Sequence, residues 1–271
     1  MGGCVISRRQ IVRGVLSFVC LGAIVCATAP TSGEQKTSIT VSAAISLSDA
    51  LDELGHTYER RHPDTKVTFN YGSSGTLQHQ IEQGAPVDIF LSAAEKQMDA
   101  LESAGLLMAG TRRDLVGNHL VLIVPASLNI VKNFPDLARP EVKIVALGEP
   151  RTVPAGMYAR QTLEHLGLLA AVEKKVVYAK DVRAVLTYVE TGNADAGIVY
   201  QTDARTSSKA RIAATAPAAT HDPIAYPAAV IRTTKNITAA RAFLEFLESA
   251  DARAVFEKYG FTSAEKQAGK N

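Results

Sequence analysis

Thr37-Ser38-Ile39-Thr40-Val41-Ser42-Ala43-Ala44 runs directly into Ile45-Ser46-Leu47-Ser48-Asp49, and the hydrophobic period changes at the join. The first eight residues are rich in β-branched side chains and read as a strand. Leu47, Leu51, Leu54 and Tyr58 then recur at helical spacing, with Ser48 expected as the N-cap. The same switch repeats along the chain. Val67-Thr68-Phe69-Asn70-Tyr71 reads as a strand, followed by Gly72-Ser73-Ser74-Gly75 and a short helix from Thr76 to Gln83. Val87 to Leu91 is a further strand and Ala94 to Ala104 a further helix. A second set begins with the strand His119 to Val124 and continues through Lys143 to Leu147, a helix from about Gly156 to Leu166, and Val176 to Tyr178. The helix Val182 to Glu190 and the strand Ala196 to Tyr200 complete it. A late strand spans residues 226–231, and one or two closing helices lie between Ala239 and Tyr259. Alternating strands and helices imply an α/β protein with parallel or mixed sheets and helical crossovers. No repeat and no low-complexity linker separates the two sets. Two lobes joined by ordered crossing strands, with a ligand between them, are therefore expected.

The chain has 271 residues, 46% of them hydrophobic, enough for a substantial core. Twenty-nine Lys plus Arg against 27 Asp plus Glu lacks the basic excess of a nucleic-acid-binding protein. The N-terminus accounts for more than the whole of that small surplus. Arg8, Arg9 and Arg13 precede an uncharged apolar run from Gly14 to Ala27, and small residues follow. This is the pattern of a cleaved export signal, assigned to residues 1–33. About 14 residues are too few to span a bilayer comfortably. Ser7-Arg8-Arg9-Gln10-Ile11-Val12-Arg13 is compatible with a twin-arginine leader as well as an ordinary one. Val19 before Cys20 and Val25 before Cys26 argue against a lipid anchor, which needs a small residue there. Without residues 1–33 the chain carries 26 basic and 27 acidic residues, and all three Cys are gone. A thiol nucleophile, a disulfide and a Cys-based metal site are thereby excluded from the mature chain.

The six His, at 56, 62, 79, 119, 165 and 221, show no metal-ligand spacing on one helix face. Gly72-Ser73-Ser74-Gly75-Thr76 falls short of a G-x-S-x-G nucleophile elbow, since residue 76 is not Gly, and it lacks the Lys of a phosphate-binding loop. A secreted Ser-dependent hydrolase thus rests on serines alone. Four loop-to-helix junctions suggest other chemistry: Ser46-Leu47-Ser48-Asp49, Gly72-Ser73-Ser74-Gly75, Val153-Pro154-Ala155-Gly156 and Asp181-Val182-Arg183. Unpaired N–H groups and the positive end of the dipole let a helix start bind an oxyanion without a cationic side chain. Taken singly, each junction reads first as routine capping, and spacing does not bring the four together. Arg183 and Lys180, beside one junction, read as solvated surface charges.

Several segments resemble the periplasmic molybdate-binding protein family. They are Ala43-Ala44-Ile45-Ser46-Leu47, Gly72 to Leu77, Gln83-Gly84-Ala85-Pro86-Val87-Asp88-Ile89-Phe90, Val153 to Ala159, Asp181-Val182-Arg183, Gly197-Ile198-Val199-Tyr200 and Tyr259-Gly260-Phe261. They occur in the family's order over residues 38–263. Ile45 departs from the small residue usual at its position, and Glu149 before Pro150 departs from the commoner Asp or Asn.

The resemblance implies a two-lobe class II periplasmic solute-binding fold, each lobe a mixed sheet flanked by helices, with the ligand cleft between lobes. Lobe 1 is expected from residues 34–118 plus 226–263, lobe 2 from residues 119–225, and a flexible tail from residues 264–271. By motif position the oxyanion contacts are Ser46 and Ser74 from the first lobe, the backbone N–H of Ala155 and Val182, and the Tyr200 hydroxyl from the second. Molybdenum would be held as its oxyanion, with no protein atom on the metal and no cofactor. The implied function is non-enzymatic: periplasmic capture of molybdate, and of tungstate, by a monomer that delivers it to the membrane permease of an ABC importer. Sulfate or a small carboxylate remains the alternative solute. A fully deprotonated dianion offers only acceptors, which an all-donor site satisfies. Phosphate, which keeps a proton near neutral pH, would leave a mismatch of about 1–3 kcal/mol. Donor chemistry does not reject sulfate, so cavity size must.

Overall fold

The structure is a computed structural model that describes residues 1–2 and 36–264. The expected export signal, apart from its first two residues, and the tail beyond residue 264 lie outside the described residues.

In chain order the strands and helices are β1 (Thr37–Ala44), α1 (Ser48–Arg61), β2 (Thr65–Gly72), α2 (Ser74–Glu82), β3 (Ile89–Leu91), α3 (Glu95–Ser103), β4 (Arg113–Gly117), β5 (Leu120–Pro125) and β6 (Val145–Gly148). They continue with α4 (Pro154–His165), α5 (Leu169–Val172), β7 (Val176–Ala179), α6 (Val182–Glu190), β8 (Ala196–Tyr200), α7 (Gln201–Ala204), β9 (Ala210–Thr215), β10 (Ala225–Val230), α8 (Ile237–Leu247), α9 (Ala250–Lys258) and β11 (Thr262–Ser263).

These strands form two mixed sheets. The first has the order β11-β4-β10-β3-β1-β2 and the second β7-β6-β8-β5-β9. In the first, β1 runs parallel to β2 and β3, as the helical crossovers α1 and α2 require, while β10 returns antiparallel between β3 and β4. In the second, β6 is parallel to β7 and β8, and β5 lies antiparallel between β8 and β9. The chain passes from one sheet to the other twice, through Asn118-His119 after β4 and through residues 216–224 before β10.

Burial follows from the residue pattern. Ile39, Val41, Ala43 and Ala44 turn β1 into the core, and Leu51, Leu54 and Tyr58 form the buried stripe of α1. The Tyr58 ring meets Phe243 of α8 edge-on at 5.0 Å, closing the outer layer over the first sheet. Strand β5 is buried from Leu120 to Val124, as expected of an apolar run inside a sheet covered on both faces. β4, β9 and β11 have no pattern in the sequence that marks them as strands. The helix expected from Gly156 starts instead at Pro154, where a missing N–H costs the helix nothing.

Candidate functional site

Three of the four junctions are built as their residue types suggest. Ser73 caps α2, its Oγ accepting from Thr76 N at 3.4 Å and sharing a hydrogen with Thr76 Oγ1 at 2.8 Å. Asp181 caps α6 through Oδ1, which accepts from Ala184 N at 2.8 Å. Val153 precedes α4, whose first residue is Pro154. The fourth differs from expectation: Ser48 does not cap α1. Residues Ile45–Leu47 form a 3-10 turn that feeds the helix, and Ser48 already lies inside it. Its N–H donates to Ile45 O, so no hydroxyl is needed there.

The four junctions converge. Ile45, Ser46, Ser73, Ser74, Val153, Pro154, Ala155 and Val182 line one small cavity of about 10 Å³, with Tyr200 also in its lining. The five residues expected to contact a ligand, Ser46, Ser74, Ala155, Val182 and Tyr200, are thus brought to the same space from five separate elements. No charged side chain lines it. Ala155 and Val182 stand in the first turns of α4 and α6, where the helix offers their N–H groups no carbonyl.

The hydroxyls are held by specific partners. Ser74 Oγ accepts from Ala93 N at 2.9 Å. Ser46 Oγ lies 3.1 Å from the Tyr226 hydroxyl. The Tyr200 hydroxyl donates to Ala93 O at 3.1 Å, joining the second sheet to the loop after β3 of the first. Tyr200 is 1% exposed, not the half-buried residue that a strand end alone suggests. Burial pushes its phenol well above the ordinary value, so it retains the proton a donor needs. That single proton serves either Ala93 O or a ligand oxygen, never both. Among the described residues neither Ser46 Oγ nor Ser74 Oγ is hydrogen-bonded to a histidine.

Two features of the closure between the sheets have no local signal in the sequence. Gly75 N donates to Thr152 O at 2.9 Å, and a Cβ at residue 75 would lie 2.6 Å from Thr152 Cα. The second is Arg183, which is not a solvated surface charge. Its Nη2 meets Asp49 Oδ2 of α1 at 2.5 Å and its Nε meets Asp203 Oδ1 of α7 at 2.5 Å. The guanidinium therefore ties α6 to α1 across the two sheets. The Asp203 side chain is 0% exposed. Burial pushes its carboxyl up to about 6, against the pull of Arg183. Asp49 lies 134 residues from Arg183, so no local motif announces the pair. Beside the cavity, sharing Ser46, opens a recess of about 380 Å³ that carries Arg183, Arg205 and Lys258 with Asp49.

Comparison with known proteins accords with this arrangement. Residues 39–262 match the family described as bacterial extracellular solute-binding protein. YvgL of Bacillus subtilis, provisionally named an ABC transporter substrate-binding lipoprotein, is 48% identical over 234 residues, 86% of this chain and 89% of its own. The molybdate-binding protein ModA of Haemophilus influenzae is 40% identical over 231 residues, 83% of this chain and 90% of its own. Among solved structures, the periplasmic molybdate-binding protein of Azotobacter vinelandii superposes with a TM-score of 0.74 at 26% identity, over 83% of this chain and 98% of that one. With two mixed sheets flanked by helices and a match over most of its length, the chain belongs to the bacterial extracellular solute-binding proteins.

Proposed function

We propose that this protein captures molybdate, and tungstate with it, in the periplasm and delivers it to the permease of an ABC importer. The observation that carries the reading is a cavity ringed by helix starts and hydroxyls, without a charged side chain. Each helix start contributes roughly half a positive charge, so the four together offset about two negative charges. Ser46, Ser74 and Tyr200 supply hydroxyl donors and Ala155 and Val182 backbone donors. A tetrahedral dianion has acceptors for all of them. The recess bearing Arg183, Arg205 and Lys258 gives an anion a favourable approach beside Ser46.

In this reading residues 34–118 with 226–263 form one lobe and residues 119–225 the other, and ligand closes them about the two chain crossings. The Tyr200 proton then moves from Ala93 O to a ligand oxygen. Calorimetry on the mature chain across molybdate, tungstate, sulfate, phosphate and small carboxylates tests the assignment. Tight binding of molybdate and tungstate with exclusion of phosphate is expected. Preference for sulfate or a carboxylate would transfer the function to that solute.

The contact set has its own test. Ser46→Ala and Tyr200→Phe each remove one donor to a charged ligand, from opposite lobes. Each is expected to weaken molybdate binding by about 1.5–3 kcal/mol, roughly 10- to 150-fold. Wild-type affinity in both variants would refute the contact set.

A further inference from the structure

A hydroxyl can donate or accept, and an oxyanion site needs it to donate. For Ser74 the choice is made directly, because the Ala93 N–H donates to its oxygen at 2.9 Å and leaves the hydroxyl hydrogen for the cavity. Among the described residues Ser46 Oγ has no backbone donor in that role. Its neighbour at 3.1 Å is the Tyr226 hydroxyl, itself able to donate or accept.

The ambiguity is removed two residues further back. His119 N donates to Asn118 Oδ1 at 2.9 Å, and a backbone N–H can only donate, so it fixes which end of the amide is oxygen. Asn118 Nδ2 consequently points the other way, donating to Thr202 Oγ1 at 2.9 Å and to the Tyr226 oxygen at 3.1 Å. Tyr226, accepting from Asn118, has its own hydrogen for Ser46 Oγ. Ser46, accepting from Tyr226, has its hydrogen for the cavity. Asn118, Tyr226 and Ser46 are 1%, 1% and 4% exposed, so water offers little competition for these bonds.

We propose that Asn118 and Tyr226 are positioning residues that impose the donor orientation on Ser46 through a one-way hydrogen-bond relay starting at His119 N–H. The inference rests on the reading of Ser46 as an oxyanion contact. It adds that discrimination between protonated and fully deprotonated oxyanions is set partly outside the cavity, at the places where the chain crosses between the sheets. Asn118 lies on the first crossing, and Tyr226 is the second residue of β10, just after the other. One site donor is thereby fixed by the same residues about which the lobes are proposed to turn.

The test is a double-mutant cycle read by calorimetry with molybdate on the mature chain. Tyr226→Phe alone is expected to weaken binding about tenfold, because the Ser46 hydroxyl is no longer oriented. In a Ser46→Ala background the same change should have no further effect, because Tyr226 acts only through Ser46. A merely structural role for Tyr226 would give the full loss in both backgrounds, and that result overturns the relay. Asn118→Asp provides a second, nearly isosteric probe. A carboxylate facing Tyr226 would draw the phenol hydrogen toward itself and turn Ser46 into a donor to Tyr226. Molybdate affinity should then fall in both backgrounds, because the added carboxylate repels the dianion, but about tenfold further in the Ser46 background than in the Ser46→Ala background. Circular dichroism and thermal unfolding of each variant separate loss of fold from loss of orientation. If Ser46→Ala alone leaves affinity untouched, the site reading itself fails. If Ser46→Ala weakens binding but the two cycles are additive, only the relay fails.

Discussion

Gly75→Ala is expected to lower molybdate affinity by about 10- to 100-fold while leaving the ligand-free protein at least as stable as the wild type. The two halves of that outcome have separate causes. In the structure a methyl group at residue 75 would stand 2.6 Å from Thr152 Cα and 2.7 Å from Thr152 O, on the far side of the cleft. Both are backbone atoms and cannot rotate away. Overpacking of this kind costs about 1–3 kcal/mol, and the cost falls on the closed arrangement. Away from Thr152, residue 75 is simply the second position of α2, where alanine is preferred to glycine by up to about 1 kcal/mol. Calorimetry and thermal unfolding without ligand measure the two effects independently. If stability falls and affinity for the remaining folded protein does not, the approach of Gly75 to Thr152 belongs to the ligand-free state and closure is not driven by the ligand. If neither changes, the contact carries no energy.

Gly75 also shows what a sequence conceals. Its place in Gly72-Ser73-Ser74-Gly75 is visible, and so is the chemistry of a helix start. The need for glycine comes from a backbone 77 positions later, beyond the reach of any local pattern. The same division holds elsewhere. The strong alternation of β1 and α1 is legible because burial writes a period into the residues. β4, Arg113-Asp114-Leu115-Val116-Gly117, carries two charges and is defined by its register against β10 and β11. β9, Ala210-Arg211-Ile212-Ala213-Ala214-Thr215, is an Ala-rich edge strand whose local propensity favours a helix and whose pairing with β5 overrides it. Among the proposed contact residues, Ser46 and Ser74 have visible chemistry at helix starts. Ala155, Val182 and Tyr200 were reached through family resemblance, since a backbone N–H donor leaves no trace in side-chain identity. Ser48 misled because a 3-10 turn took over the work of the cap.

Arg183→Met is expected to destabilise the protein by about 3–5 kcal/mol at pH 8, the cost of leaving a buried charge without its partner. The charge in question is Asp203, whose side chain is 0% exposed and hydrogen-bonded to Arg183 Nε at 2.5 Å. Burial already lifts its carboxyl to about 6, with the Asp49 and Asp181 carboxylates pushing in the same direction. Arg183 is the group that opposes the rise, so its removal lifts the carboxyl further. Between the unfolded value near 3.9 and the folded value, the folded chain binds a proton that the unfolded chain releases. Stability from this group is therefore gained as pH falls through the folded value and lost as pH rises. In the wild type the change should be complete below about pH 4. In Arg183→Met the window moves up, and the deficit against wild type should shrink as pH falls from 8 to 5 because Asp203 becomes neutral. Adding Asp203→Asn to Arg183→Met should recover most of the loss at pH 8 and little at pH 5. Denaturant unfolding of the wild type, Arg183→Met, Asp203→Asn and the double variant at the two pH values measures this. A deficit independent of pH, or strict additivity of the two substitutions, would mean that Arg183 stabilises through its stem and its Asp49 contact and not by neutralising Asp203.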